Sequence, residues 1–116
     1  MFNVDFYRLS NGTAPVEQFL NSLSIKMRTK AMYSLLLLEK FGNRLREPYS
    51  KEVDQGIFEL RIQFANDITR IFYFFYVGNK IILTNGFVKK TQKTPKSEIQ
   101  LAIRYKKDYE RRSCRE

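Results

Sequence analysis

The chain has 116 residues, 43% of them hydrophobic, enough for one domain with a core and too few for two. Its longest apolar runs, around residues 35–38 and 71–77, fall far short of the roughly 20 residues a membrane-spanning helix needs. Twenty-one Lys and Arg against 12 Asp and Glu give a net charge of +9, which favours a polyanionic partner, either nucleic acid or an acidic protein.

The first residues, with an early acid at Asp5 and no basic segment ahead of an apolar one, do not read as a secretory signal, and the cytoplasm is the expected location. The single cysteine, Cys114, can form neither an internal disulfide nor a metal cluster. No cofactor and no metal are expected.

Residues 2–9 are rich in aromatic and β-branched side chains and run into Ser10-Asn11-Gly12, which predicts a first strand ending in a turn. Thr13 as a cap, Pro15 in the first turn, and Val16, Phe19, Leu20 and Leu23 at helical spacing predict a short helix. A second helix follows, capped by Ser24, with Ile25, Met32, Leu35, Leu36 and Phe41 as its apolar stripe and Gly42 as its stop. Residues 44–55 are polar, with Pro48 and Gly56 as punctuation, and read as a connecting loop.

Three β-rich runs come next, at 57–64, 68–77 and 80–88, the last two joined by a two-residue Gly78-Asn79 turn. Thr94-Pro95 resembles a cap followed by a first-turn proline, and Ile99, Ala102 and Ile103 give the last helix its apolar face. That helix is expected to fray into a basic tail over residues 106–116. The order strand, helix, helix, three strands, helix specifies a single α+β domain over residues 1–116, an antiparallel sheet with its helices packed on one face.

Alternation along the second strand puts Ile57, Glu59, Arg61 and Gln63 on one face and Phe58, Leu60, Ile62 and Phe64 on the other, the core face. The next strand is apolar on both faces, hence central and covered on both sides, yet it carries Arg70. A buried unpaired charge costs several kcal/mol, so Arg70 needs a partner. Two readings stand: a static cross-strand ion pair with Glu59, or a guanidinium kept for a phosphate. Arg61 admits the same two.

The run Val88-Lys89-Lys90-Thr91-Gln92-Lys93, at the end of a strand and beside a helix start, is a third cationic element suited to phosphate. The aromatics Phe72 to Tyr76 suit a packed core, with Tyr73 and Tyr76 as candidates for stacking against bases at the edge.

The segments Gly56-Ile57-Phe58-Glu59-Leu60-Arg61, Thr69-Arg70-Ile71-Phe72-Tyr73 and Asn85-Gly86-Phe87-Val88-Lys89-Lys90-Thr91-Gln92-Lys93-Thr94-Pro95, followed by Glu98-Ile99 to Ala102, resemble the phage-related HigB branch of the RelE toxins. The resemblance runs from about Phe2 to Tyr109 and is specific in order and spacing. It implies a RelE-like fold and a metal-independent endoribonuclease that cuts mRNA on the ribosome and inhibits translation and growth. It also implies a neutralising helix-turn-helix antitoxin, HigA-like, in a toxin–antitoxin hetero-oligomer.

Carried over by position, Arg61, Arg70 and Lys90 would be catalytic cations, with Lys89 and Thr91 beside Lys90 on the RNA-facing surface. From the residues themselves, Glu59 is a base or a counter-ion orienting Arg61, and Lys93 and Tyr73 are further candidates for RNA contact. A lysine with depressed pKa, Lys90 beside Lys89, is the other candidate base. The chain has no histidine, whereas some relatives use histidines in the site. It also lacks the tyrosine that some relatives carry at the start of the last helix. The alternative reading is a non-catalytic nucleic-acid-binding or phage regulatory module, in which the same cations merely hold phosphates.

Overall fold

The computed structural model describes residues 1–89 and 93–114. In chain order it forms β1 (Asn3–Phe6), α1 (Pro15–Ser22), α2 (Ile25–Phe41) with a short 3₁₀ turn at Gly42–Arg44, β2 (Ser50–Asp54), β3 (Ile57–Phe64), β4 (Asp67–Tyr76), β5 (Lys80–Lys89) and α3 (Lys96–Ser113). The five strands make one sheet in the order β1-β5-β4-β3-β2. Only β1 runs parallel to its neighbour, β5; the remaining pairings are antiparallel. The fold is α+β, with three helices among the described residues and an open sheet that is mostly antiparallel, not wholly so as expected. Helix α3 does not give way to a tail at residue 106 but continues to Ser113, because Tyr105 and Tyr109 pack against buried residues of the sheet.

Local chemistry sets the helix ends. Ser24 caps α2 as expected, its hydroxyl accepting from the Met27 amide at 3.2 Å, which satisfies one of the four free N–H groups of a helix start. The α1 cap differs from expectation. Ala14, not Thr13, holds the cap position, and no side chain caps the helix; proline at the first position lowers the need, since it has no N–H to satisfy. The Arg28 guanidinium donates to the carbonyls of Leu20, Asn21 and Leu23, adding a side-chain donor to the C-terminal end of α1, where the Leu20 carbonyl also accepts the Leu23 amide.

The buried stripe of α2 is Met27, Ala31, Leu35 and Leu38, a phase different from the expected one, of which only Leu35 is buried. Ile25, Met32 and Leu36 are exposed. The run Leu35 to Leu38 has no polar break, so it admits more than one phase of a 3.6-residue stripe.

Three further expectations are corrected. The helices do not share one face: α1 and α2 cover the sheet through a core that includes Leu60, Ile71, Tyr73, Ile81 and Leu83. The α3 residue Ala102 packs with Ile57, Phe72, Phe74 and Ile82 in a second core, on the opposite face given by strand alternation. Within the segment expected to be loop, Ser50–Asp54 forms an edge strand paired to β3, with Lys51 opposite Glu59. The β4–β5 hairpin, lastly, turns through three residues, since Tyr76 pairs with Lys80; Gly78 and Asn79 both adopt positive φ there, as their types allow.

Candidate functional site

On the α3 side of the sheet, Arg61 of β3 stands directly opposite Arg70 of β4. Two guanidinium groups placed so close repel unless an anion lies between or beside them. Glu59, two residues before Arg61 and on the same strand face, provides that anion. Its Oε2 accepts from Arg61 Nε at 2.9 Å and lies 3.6 Å from Arg70 Nε. Its Oε1 accepts from the Thr94 hydroxyl at 3.0 Å. Glu59 is 1% exposed, so its charge is sustained by these contacts rather than by water.

One carboxylate does not saturate two guanidinium groups. Arg70 Nη1 donates to the Thr69 carbonyl at 3.2 Å, while its buried Nε has no hydrogen-bond partner among the described residues. Burial pushes the Arg70 pKa below its ordinary value; Glu59 opposes the shift and Arg61 adds to it. Arg61 keeps about a quarter of its side chain in solvent and also lies 3.9 Å from the exposed Glu47.

Lys89 closes the cationic arc from β5, where it pairs with Ile68 on the strand carrying Arg70. Its pKa is lowered by burial first and then by Arg70, with Arg61 and Lys51 acting the same way and Glu59 opposing. Lys51 joins from β2 through its register opposite Glu59. Lys51, Arg61, Arg70 and Lys89 thus lie across four adjacent strands around one buried carboxylate. The excess of positive charge, part of it desolvated, is a setting in which phosphate binds strongly.

The start of α3 is pinned beside this arc. Asn85 Nδ2 donates to both the backbone carbonyl and the Oε1 of Glu98, each at 3.1 Å, and its Oδ1 accepts from Thr84 at 2.8 Å. Thr94 does not cap α3 as expected. Pro95 holds the cap position, and the Thr94 hydroxyl turns to Glu59 instead, tying the chain after β5 to the arginine pair.

The structure therefore brings together Glu59, Arg61, Arg70 and Lys89 of the expected residues. Lys93 is exposed one residue before Thr94. Lys90 and Thr91 lie outside the described residues. Tyr73 is corrected: it is 1% exposed, in the core on the α2 side of the sheet. Its ring stacks on Phe58 and its hydroxyl bonds Ser50, so it presents no edge to a ligand. Lys51 and Thr94 were missed as site residues. The Gln55-Gly56 pair, where Gly56 adopts φ +78°, was the available sign of a hairpin that would have made 50–54 a strand and aligned Lys51 with Glu59.

A search of curated proteins finds no match. A family model, Phage derived protein Gp49-like (DUF891), matches residues 18–107, a span that contains all the site residues described above. The chain belongs to the Phage derived protein Gp49-like family.

Proposed function

We propose that the protein is a toxin of a toxin–antitoxin system, a RelE-like, HigB-type endoribonuclease that cuts mRNA on the ribosome in the cytoplasm. In this reading a helix-turn-helix antitoxin holds it inactive in a hetero-oligomer. Membership of the Gp49-like family supports the reading, since that family is related to RelE/HigB-type toxins. The observation that carries it is the Arg61–Arg70 pair, opposed across two strands and held by one buried carboxylate.

The chemistry follows from the charges. The 2′-hydroxyl of RNA attacks the adjacent phosphorus, its proton passes to a base, and the 5′-oxygen leaves with a proton from an acid. The products are a 2′,3′-cyclic phosphate and a 5′-hydroxyl end. Arg61 and Arg70 stabilise the dianionic pentavalent phosphorane through their N–H forks. Lys89 is the candidate for proton transfer: it stands beside the arginines, and burial and Arg70 lower its pKa from the ordinary lysine value. Glu59 already accepts from Arg61 and Thr94; it acts as a positioning residue that aims the arginines.

Induced expression in bacteria tests this reading. Wild type is expected to arrest growth and Arg70→Ala to permit it, with both proteins folded and both captured by the antitoxin. Loss of an electrostatic contact to the transition state costs about 10²–10³ in rate. Full toxicity of Arg70→Ala would overturn the assignment, and harmless expression of folded wild type would favour a module that binds nucleic acid without cutting it.

A further inference from the structure

Strand β2 pairs with β3 only as far as Ser50 opposite Leu60. From Arg61 onward that side of β3 has no strand neighbour among the described residues. Between this open edge and α2 lies a cleft of about 380 Å³ whose walls include Tyr33, Ser34, Tyr49, Gln63, Arg61 and Arg70, a volume within the range of small-ligand clefts.

The lining has a definite chemistry. Tyr33 from α2 and Tyr49 from the segment before β2 are 60% and 53% exposed, two aromatic rings from separate elements brought to one cleft. Tyr49 is fixed to the arginine strand, because its carbonyl accepts from the Arg61 amide at 2.8 Å. Ser34 and Gln63 supply hydroxyl and amide groups able both to donate and to accept. Arg70, whose side chain is about nine-tenths buried, is among the residues that line the cleft, and its Nε has no hydrogen-bond partner among the described residues.

Exposed rings that can stack, an amide and a hydroxyl that can read an edge, and the arginines beside them match a nucleotide better than a purely apolar ligand. We infer that this cleft receives one unstacked nucleobase of a single-stranded polynucleotide whose phosphate lies on Arg61 and Arg70. The inference rests on the reading of the arginines as a phosphate site and adds a base subsite to it. A choice of cleavage position would then arise from which base the cleft accepts.

The test is fluorescence anisotropy of the full chain with two labelled, uncleavable probes: a short single-stranded 2′-deoxy oligonucleotide and an abasic oligonucleotide with the same number of phosphates. Wild type is expected to bind the base-bearing probe about tenfold more tightly than the abasic one. Tyr33→Ala and Tyr49→Ala should each erase most of that difference, leaving abasic binding and its salt dependence unchanged. The Phe variants should retain it. Equal wild-type affinity for both probes, or Ala variants that weaken both probes alike, would overturn the base subsite. If that happened while Arg70→Ala still weakened binding, the phosphate reading would survive alone. Failure of wild type to bind either probe would overturn both.

Discussion

At Glu59 a single carboxylate organises three other side chains, and its removal separates stability from function. In Glu59→Ala, Arg61 and Arg70 face each other without their buried anion, and among the described residues only the exposed Glu47 remains, 3.9 Å from Arg61. Because Arg70 is 8% exposed, the loss is expected to cost about 3 kcal/mol, read as a lower urea midpoint with unchanged slope. Thr94→Val removes only one hydrogen bond to the same carboxylate and should cost about 1 kcal/mol. Glu59 and both arginines were legible in the sequence. Period-two alternation puts Glu59 and Arg61 on one strand face, and Arg70 stood out as a charge on a strand apolar on both sides. Lys51 was not legible as a partner, because an edge strand with a solvated face carries charges such as Lys51, Glu52 and Asp54 and reads like a loop.

Helix α3 is bound to the start of the chain by a clamp of Tyr7, Asp108 and Arg112. The Tyr7 hydroxyl donates to Asp108 at 2.6 Å, and Arg112 donates to both Asp108 and the Arg8 carbonyl. Burial and Asp108 push the Tyr7 pKa up to about 12 from 10.0. The hydrogen bond to Tyr7, followed by those to Arg111 and Arg112, holds Asp108 below 3.8 against the opposing effect of burial. A raised tyrosine pKa stabilises the fold fully below pH 10 and loses that contribution as pH rises toward 12. A depressed aspartate pKa stabilises above about pH 4 and is lost as pH falls through the folded value.

Tyr7→Phe is therefore expected to melt lower than wild type at pH 8 and to lose less Tm than wild type between pH 9 and 11.5. Buried Tyr73, also shifted upward by burial, is common to both proteins and cancels in the comparison. A second prediction belongs to α2. Gly42 ends that helix at φ +50°, and a Cβ there would lie 2.0 Å from the Phe2 ring, so Gly42→Ala should destabilise by about 2 kcal/mol in a thermal melt. That glycine was legible as a stop. The opposite placement of α3 was implied by Phe72 and Phe74, which alternate with Ile71 and Tyr73. A central strand apolar on both faces needs a cover on each, and helices on one face alone could not supply it.

At the scale of the whole molecule, with its net charge of +9, Lys51, Arg61, Arg70 and Lys89 lie across four strands of one sheet. If all four neutralise phosphates of a single strand, the slope of log K against log salt should be about −3. Lys51→Ala should reduce it by about 0.7. No helix among the described residues is long and apolar enough to cross a membrane. The excess of positive charge was legible in the composition; the placement of the charges around Glu59 needed the register of the sheet, which sequence patterns leave undetermined.

The most direct test of the central claim is cleavage by the purified protein of an end-labelled mRNA on programmed ribosomes, with the new ends mapped. Wild type is expected to yield discrete fragments ending in 2′,3′-cyclic phosphate. A single 2′-deoxy substitution at the cut nucleotide should block each cut, and Arg70→Ala should cleave at least about 100-fold more slowly. Intact mRNA with folded wild type, or equal cleavage by Arg70→Ala, would contradict the account.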